Sequence, residues 1–494
     1  MESIFRHKKM IFLVFLFGVA NCFSQQSMEA DGMSDPVRFK QDGKFKIAQF
    51  TDIHVHFDTL GEPEKTRENL EFILKTEKPD LSVLTGDIVN SPAPKGWQFI
   101  ADIFSSSGIP WTVVYGNHDD EDVWSREDIY NFLRQQKGYI GNAVSGLSGV
   151  SNFIIPVISA TTDTTAAVLY FFDSHGYPEK KKHGHYDWIK PDQIQWYRDQ
   201  SDRLTSNHHN KPFPALAFMH IPLPEYKQII GNPTYIGIKE EDVCSPDLNS
   251  GLFTSFVEKQ DVMGVFCGHD HDNNYIGILN DVALAFGQVS GHGGYGKFNR
   301  GSRIIELSEG FYNFRTWIRT EEKVQFEYEY PSGLSFSTAD FQPVSAVEQP
   351  GKLKQGVSFG YFKGNFKSAV ELNALKPVRS GDLRNFSLET AEDSDQFGFE
   401  FEGFIHIPTT GNYRFYTISD DGSMFYIGDS LVVNNDGSHS LERKEGSIAL
   451  EKGFHPYKLL YFQDYMGKKL EVGISGISIK ETRIPDEMLF ITKD

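Results

Sequence analysis

The chain has 494 residues, of which 48 are Lys or Arg and 67 are Asp or Glu, so its formal charge is −19 with His neutral. Domains usually have about 100–200 residues, which gives two to four domains, and the 39% hydrophobic and 14% aromatic content excludes wholesale disorder. The acidic balance excludes a nucleic-acid partner held by a basic surface.

The first residues of the chain combine cationic side chains with an apolar run from Met10 to Ala20, followed by small and polar residues. This order is typical of a cleavable secretory signal peptide, which we assign to residues 1–24. The run is shorter than the roughly 20 residues of a membrane-spanning helix. We therefore expect a secreted, periplasmic or cell-surface protein without a transmembrane segment after cleavage. Lipid attachment at Cys22 is a weaker alternative.

Residues 25–43 are predicted as an N-terminal linker, and residues 44–320 as an α/β domain. Short apolar runs bounded by Gly, Pro, Asp or Asn alternate there with helical patterns. The predicted helices are Glu64–Glu77 and Trp97–Phe104. The predicted strands are Lys46–Phe50, Leu81–Thr85, Trp111–Tyr115, Val168–Phe172, Ala215–Met219 and Val262–Cys267.

The pattern changes after about Thr320. Residues 321–351 contain several Pro, Ser and Gly and are predicted to be a linker or connecting hairpin, and residues 485–494 a C-terminal tail. Between them, residues 352–484 alternate apolar and polar side chains and predict an all-β sandwich. Its predicted strands include Tyr413–Thr417, Ser423–Ile427, Ser430–Val433, Tyr457–Phe462 and Lys469–Ile474.

Two of the three cysteines, Cys244 and Cys267, lie outside the signal segment. They either pair in an oxidising compartment or remain as two partly buried thiols, and the low number of cysteines favours the second interpretation. The stability of the protein then depends on core size rather than on disulfide bonds.

Five polar motifs stand immediately after five of the predicted strands. They are Asp52-Ile53-His54, Gly86-Asp87-Ile88-Val89-Asn90, Gly116-Asn117-His118-Asp119, His220 and Gly268-His269-Asp270-His271. Because the carboxyl ends of neighbouring strands share one crevice in an α/β sheet, we expect these motifs to converge. The predicted metal ligands are Asp52, His54, Asp87, Asn117, His220, His269 and His271.

This mixture of carboxylate, imidazole and amide groups suits two divalent transition metal ions, with Zn, Mn and Fe as candidates. Asp87 is the natural bridge between the two ions. A hydroxide formed between them is the predicted nucleophile on a phosphate ester. His118 is then the proton donor to the leaving group, and Asp119 is predicted to orient the His118 ring.

The ordered motifs Asp-x-His, Gly-Asp-x-x, Gly-Asn-His-Asp, His and Gly-His-x-His resemble those of the calcineurin-like metallophosphoesterases, over about Lys44 to Thr320. The resemblance implies that one metal ion takes ligands corresponding to Asp52, His54, Asp87 and His271. It implies that the other takes Asp87, Asn117, His220 and His269, and that His118 is the proton donor.

Three further segments are similar to the branch of plant purple-acid-phosphatase-29-like proteins: Tyr186–Ile189, His220–Glu225 and Asn249–Phe253. True purple acid phosphatases have a Tyr three residues after the Gly-Asp aspartate, whose phenolate colours the iron. Here that position is Asn90, which implies a colourless site.

Residues Lys352 to Ile484 resemble a PA14 domain through Gly411–Phe415, Ser419–Ser423 and Tyr426–Asp429. In some members of that family, paired aspartates hold Ca²⁺, which coordinates sugar hydroxyls. Asp420 and Asp421 are therefore a candidate calcium and glycan site, and a hairpin turn is the alternative interpretation.

The sequence thus predicts an exported metallophosphoesterase whose substrate is a phosphorylated small molecule or glycan, with carbohydrate as a further candidate partner. Within enzymes, the alternative is a phosphodiesterase acting on nucleotides or lipid head groups. From another class, the alternative is a surface glycan-binding protein with an inactive phosphoesterase domain. The complete ligand set favours the enzyme.

Overall fold

A computed structural model describes residues 32–232, 234–335, 342–347, 351–477 and 479–493. The chain divides into two compact units, with the boundary between Tyr328 and Glu329. The predicted signal peptide at 1–24 and the alternative lipid site at Cys22 lie outside the described residues. No helix among the described residues combines the length and apolar character needed to cross a membrane.

Two β-sheets organise the first unit. In spatial order, the seven-stranded sheet contains Val37–Arg38, Phe153–Ile158, Thr165–Phe171, Ala215–Phe218, Val262–Cys267, Val282–Phe286 and Ile276–Leu279. The six-stranded sheet contains Val324–Tyr330, Phe314–Thr320, Gly301–Ser308, Lys44–Phe50, Leu81–Thr85 and Trp111–Val114. A short parallel pair joins Val55–His56 to Val89–Ser91. The predicted α/β class is confirmed.

Helices cover the outer face of each sheet. Glu62–Glu77 and Ala93–Ser107 bury the apolar faces that the sequence predicts, in one core cluster with side chains of the six-stranded sheet. Pro191–Asn207 and Leu252–Lys259 pack in a second cluster with the seven-stranded sheet. Arg126–Leu133 completes the α-helices of this unit's described residues, and its Ile129 and Leu133 join the first cluster.

Between the sheets lies a row of phenylalanine rings. Phe153, Phe171, Phe218 and Phe266 follow one another across four strands of the seven-stranded sheet, with ring centroids 4.4, 5.2 and 5.5 Å apart. Phe314, from the six-stranded sheet, lies 5.6 Å from Phe266. The two sheets are thus packed face to face through buried apolar side chains.

The predicted N-terminal linker and the predicted linker or connecting hairpin each contain a sheet strand. Within the proposed N-terminal linker, Val37–Arg38 pairs with Val157 and Ile158. Within residues 321–351, Val324–Tyr330 is the edge strand next to Phe314–Thr320 in the six-stranded sheet. Its alternating Val, Phe and Tyr side chains fit a strand, and the Pro and Gly residues that suggested a linker come after it.

The second unit consists mainly of antiparallel strands. One sheet has the order Leu353–Gln355, Leu489–Thr492, Phe397–Ile407, Gly453–Gln463, Ser423–Ile427 and Ser430–Asn435, and Val357–Lys363 pairs with both Arg379–Leu383 and Phe397–Ile407. The other has the order Glu442–Leu450, Gly411–Asp420, Lys469–Gly476 and Ile479–Arg483. Side chains from both sheets share one aromatic-rich core cluster, as expected of a sandwich. The four 3₁₀ helices of the described residues are Lys181–His183 and Pro224–Gln228 in the first unit, and Ala369–Ala374 and Asp486–Met488 in the second.

Candidate metal centre

The candidate site lies where strands of both sheets in the first unit end. Asp52, Asp87 and Asn117 follow three parallel strands of the six-stranded sheet, whereas His220 and His269 follow two parallel strands of the other sheet. The Gln49 amide joins the two sheets, because it donates hydrogen bonds of 3.0 Å to both the Thr85 hydroxyl and the Cys267 carbonyl. The five motifs therefore meet between two sheets rather than along one.

The backbone turns sharply at several of these residues. Asp52, His54, Asp87 and His269 have φ angles of 52°, 49°, 53° and 79°, in the left-handed region that residues other than glycine rarely adopt. Such conformations cost free energy and are concentrated at functional sites. Here each turn directs a polar side chain away from its strand and into the space between the sheets.

Six of the seven predicted ligands form two buried groups. The first group is Asp52, His54 and His271, and the second is Asp87, His220 and His269. Within each group, one candidate ligand atom per residue lies within 4.8 Å of the others. Among the described residues, these are the two groups of three or more His, Cys, Asp or Glu side chains with this close spacing.

Asp87 occupies the position between the two groups. Its Oδ2 lies 3.2 Å from Nε2 of His220, and 3.7 Å from Nε2 of His54 in the other group. Its Oδ1 accepts a hydrogen bond of 2.9 Å from the His118 amide. One carboxylate oxygen therefore faces both groups, which is the arrangement that a bridging ligand requires.

The hydrogen bonds of the imidazoles determine which nitrogen carries the proton. Nδ1 of His54 lies 2.8 Å from the Asn90 side-chain oxygen, and Nδ1 of His271 lies 2.9 Å from the Tyr295 carbonyl. Both partners are acceptors, so each Nδ1 carries the hydrogen and each Nε2 has a lone pair. The Nε2 atoms of His54 and His271 nevertheless face each other at 3.1 Å.

The second group repeats this pattern. Nδ1 of His220 donates to the Thr85 carbonyl over 2.8 Å, and its Nε2 faces Nδ1 of His269 at 3.2 Å. Converging lone pairs repel one another unless a cation or proton lies between them. A transition metal ion in each group fits the donors that are present: neutral imidazoles and carboxylates in a buried pocket.

Asn117, the seventh predicted ligand, is also buried. Its Nδ2 donates to the Tyr177 hydroxyl over 3.1 Å, while its Oδ1 is buried and has no hydrogen-bond partner. Buried amide oxygens nearly always have a partner. The unpaired amide oxygen of Asn117, beside Asp87, is therefore a further atom suited to bind a cation.

Electrostatics determine the protonation states of these groups. Burial would lower the pKa of His220, but the charge of Asp87 raises it to about 9, so the two form an ion pair in which a bound cation would replace the His220 proton. Burial alone would raise the pKa of Asp87, but the positive charge of His220 holds it well below its usual range. Burial lowers the pKa of His54. Burial, followed by the charge of His220, lowers the pKa of His269 to about 3. Asp87 is thus ionised and both imidazoles are neutral near neutral pH.

The structure differs from the prediction that Asp119 orients His118. The Asp119 carboxylate accepts backbone hydrogen bonds of 2.7 to 3.2 Å from Gly116, Asp87, Ile88 and Val89, and therefore fixes the loop that carries Asp87. Burial, with the charge of Asp87, raises the pKa of Asp119 to about 6. The partner of the His118 ring is instead Glu121, whose Oε2 lies 2.5 Å from Nδ1.

A cleft of about 280 Å³ opens onto the two groups. Two tyrosines that contact ligands help to form its wall: the Tyr295 ring stacks on His271 with centroids 3.9 Å apart, and Tyr186 meets His269 edge-on at 4.4 Å. Its lining residues are His54, Asp87, Asn90, His118, Tyr186, Cys244, His269, His271, Gly293, Gly294 and Tyr295. Sequence reasoning did not select Tyr186, Cys244 or the two glycines for this cleft.

The two cysteines of the described chain are unpaired. Cys267 is buried at the end of its strand, and Cys244 contributes to the cleft wall. Burial raises the pKa of Cys244 to about 12, so this thiol is not poised as a nucleophile.

The candidate calcium pair in the second unit has different surroundings. Asp421 is buried, and its oxygens accept hydrogen bonds from the His439 amide at 2.9 Å, the Asp464 amide at 2.8 Å and the Gln463 side chain at 3.3 Å. The Asp420 carbonyl accepts one from the Tyr461 hydroxyl. The calcium and glycan site remains a prediction.

Comparison with known proteins agrees with this geometry. The sequence model of the calcineurin-like phosphoesterase family matches residues 45–273, and that of the PA14 domain matches residues 353–486. One relative from Arabidopsis thaliana, the probable inactive purple acid phosphatase 14, is 30% identical over 58% of this chain and 83% of its own length. The chain belongs to the calcineurin-like phosphoesterase family. Its α/β fold and its C-terminal PA14 domain are as predicted.

Two further relatives carry contrasting names. The probable inactive purple acid phosphatase 29 of Arabidopsis thaliana is 29% identical over 64% of this chain and 91% of its own length. The phosphatase DCR2 of Saccharomyces cerevisiae is 32% identical over 59% of this chain and 56% of its own length. The resemblance to the 29-type branch is thus confirmed. The names of the relatives disagree about phosphatase activity, so the activity of this chain is inferred from the geometry of its site.

Proposed function

We propose that this chain is an exported, dinuclear metal-dependent phosphoesterase that hydrolyses phosphate esters. The observation that carries the proposal is the two pairs of opposed imidazole nitrogens, 3.1 and 3.2 Å apart, on either side of the ionised Asp87. This arrangement is electrostatically sound when each group holds a cation. Export rests on the signal-like segment between Met10 and Ala20.

In this proposal, each residue has a defined task. Asp52, His54 and His271 hold one ion, and Asn117, His220 and His269 hold the other, with Asp87 shared. Two divalent ions at these positions supply positive charge for the phosphoryl oxygens and acidify the attacking water. Asn90, Tyr295 and Thr85 keep the imidazoles in the ligand tautomer through their acceptor oxygens.

His118 is the proposed proton donor to the departing alkoxide oxygen. Its side chain is 36% exposed and lines the cleft, whereas the proposed ligands are buried. Because Nδ1 is held by Glu121, Nε2 is the atom that delivers the proton.

The substrate class in this proposal is a phosphorylated small molecule or glycan. Phosphodiester cleavage of nucleotides or lipid head groups is the enzymatic alternative, since both reactions use the same ligands. The PA14 domain supports a role in carbohydrate binding, either as a targeting module for the enzyme or as a calcium-dependent site at Asp420 and Asp421.

A second candidate function is a glycan-binding surface protein whose phosphoesterase domain is inactive. The names of the two Arabidopsis relatives favour it, because both are called probable inactive phosphatases. Against it, this chain keeps all seven proposed ligands and His118.

The two functions are separated by hydrolysis of p-nitrophenyl phosphate and its bis-ester by purified protein loaded with Zn²⁺, Mn²⁺ or Fe²⁺. Turnover in the parent, with an expected loss of about 10²- to 10³-fold in His118→Asn, supports the enzyme. The ratio of the two substrates then separates monoester from diester activity. Equal, background-level hydrolysis by the parent and by His118→Asn would support the glycan-binding alternative.

A further inference from the structure

Asn117 and His118 are each contacted by a residue that belongs to neither metal group. Tyr177 contacts the Asn117 amide, and Glu121 contacts the His118 ring. We propose that Tyr177 and Glu121 are a positioning pair, which aims Asn117 Oδ1 at the Asp87 group and holds His118 for proton transfer. The inference rests on the proposed function, because both contacts act on residues that have a task in that function.

Tyr177 selects the orientation of the Asn117 amide. An asparagine side chain presents an oxygen on one side and an NH₂ group on the other, and only the oxygen can bind a cation. The Tyr177 hydroxyl accepts from Nδ2 over 3.1 Å, which leaves Oδ1 as the buried atom without a partner. Without this hydroxyl, the amide gains freedom to rotate about its terminal bond.

Glu121 closes the network on the other side. Its carboxylate accepts from Nδ1 of His118 at 2.5 Å, and it also interacts with the Tyr177 hydroxyl. A carboxylate only accepts hydrogen bonds, so the network has one polarity: Asn117 donates to Tyr177, while Tyr177 and His118 donate to Glu121. The same carboxylate therefore supports both residues of the Asn117-His118 motif.

The two segments that carry the pair are held close to each other. Arg126 donates to the Gly116 carbonyl over 2.7 Å and pairs with buried Asp173. Asp173 in turn accepts from the His175 amide over 2.9 Å, two residues before Tyr177. Gly176 lies against Asn117, where an added Cβ would be 3.4 Å from the Asn117 Cβ.

Both residues of the pair are about half exposed, so their effect on the site can be tested separately from their effect on folding. Tyr177 is 49% exposed, and the Glu121 side chain is also 49% exposed. Polar groups at such positions contribute little to global stability. Substitutions that remove only a hydroxyl or a charge should therefore leave the fold intact and act on the site alone.

The test is a calorimetric titration of metal-free protein with Zn²⁺, followed by steady-state kinetics of p-nitrophenyl phosphate hydrolysis at saturating Zn²⁺. Tyr177→Phe should bind one ion as the parent does and the second ion about 10-fold or more weakly, as is typical when a partner of a ligand is lost. Tyr465→Phe is the control, because this tyrosine belongs to the second unit and is 71% exposed.

Glu121→Gln should lower kcat about 10-fold with an unchanged KM, because the His118 ring loses its anionic partner. It should weaken binding of the second ion less than Tyr177→Phe does, because Tyr177 keeps its contact with Asn117. Glu127→Gln, an exposed carboxylate in the first turn of the next helix, is its control. Parent-like affinity for the second ion in Tyr177→Phe, or parent-like kcat in Glu121→Gln, would overturn the pair. A parent that binds fewer than two ions would instead contradict the proposed function, and the pair with it.

Discussion

Asp87 in the first unit and Asp421 in the second are both buried aspartates that the sequence places in candidate cation sites. Their oxygens have different partners. Asp421 accepts hydrogen bonds from at least three N–H groups at 2.8 to 3.3 Å. Asp87 accepts one backbone hydrogen bond through Oδ1, while its Oδ2 faces imidazole nitrogens of two separate groups.

This difference indicates that the groups facing a buried carboxylate decide whether it is a candidate metal ligand. The sequence motif alone does not decide it. N–H donors satisfy the Asp421 carboxylate by hydrogen bonds within the protein, as four backbone amides do for Asp119. Around Asp87, the facing atoms are instead imidazole nitrogens of two separate groups, which can bind a cation. The following predictions test that contrast in order of expected effect.

The largest effect is expected when the two aspartates are replaced in turn. Asp87→Ala should abolish binding of at least one ion and lower phosphoesterase turnover about 10³-fold, because several kcal/mol of transition-state stabilisation depends on both ions. Asp421→Ala should keep turnover and metal content at parent levels. Hydrolysis assays and elemental analysis of both variants measure this, and equal turnover in the two variants would contradict the contrast.

The same Asp421→Ala variant is expected to lower the stability of the second unit. Loss of the carboxylate leaves the partly buried N–H groups of His439 and Asp464 without an acceptor, at a cost of roughly 1–3 kcal/mol to the second unit. Thermal unfolding should show the second unit melting earlier. An unchanged transition would mean that these donors find other acceptors.

A smaller, graded effect is expected from two glycines. A Cβ at Gly294 would lie 2.6 Å from Cε1 of His271 and 2.9 Å from Cδ2 of His54. Gly294→Ala should therefore displace a ligand ring and weaken metal binding about 10- to 100-fold.

Gly467→Ala is the matched control for that experiment. There a Cβ would lie 2.4 Å from Oδ2 of Asp420, and the residue has a φ of 69°. This variant should destabilise the second unit and leave the metal affinity unchanged. Calorimetric titration with Zn²⁺ distinguishes the two, and equal affinities in both variants would count against the placement of Gly294.

The smallest effect concerns Asp173, a third buried carboxylate, which is neutralised by a cationic side chain. Burial opposes its ionisation, but Arg126 and backbone donors lower its pKa to about 2. A depressed pKa gives stability that is present above the unfolded value near 3.8 and is lost as pH falls towards 2.

Between about pH 4 and 2, the parent should therefore lose about 2 kcal/mol of unfolding free energy more than Asp173→Asn does. Urea unfolding at a series of pH values measures this difference. Parallel curves for the two proteins would show that Arg126 does not stabilise the ionised form.

Much of the fold could be predicted because buried strands are visible as apolar runs. Leu81–Thr85 and Val262–Cys267 have the predicted bounds, and most other strands extend the predicted runs by a few residues. Val324–Tyr330 lies in the segment predicted to be a linker or connecting hairpin, because that segment contains several Pro, Ser and Gly and shows no helical period. It pairs with Phe314–Thr320, the strand directly before it in the chain, and its alternating Val, Phe and Tyr side chains are the signal that could have identified it.

The seven candidate ligands were predictable because each follows a strand, and strand ends converge. The roles of Asp119, Glu121 and Tyr177 could not be predicted. They depend on hydrogen bonds between side chains and backbone atoms of different loops, and these contacts leave no pattern in the sequence. Tyr177 lies 60 residues from Asn117 and shows no periodic signal. The stretch from Gly291 to Gly296 did carry a signal, since repeated glycines indicate close backbone approach, here to His54 and His271.

The most direct test of the central claim is the metal content of the folded protein, measured by elemental analysis after loading with a divalent transition metal and removal of excess ion. The account predicts two ions per chain in the parent and in Asp421→Ala, and fewer than two in Asp87→Ala. A parent chain that retains one ion or none, or an Asp87→Ala chain that retains both, would contradict it.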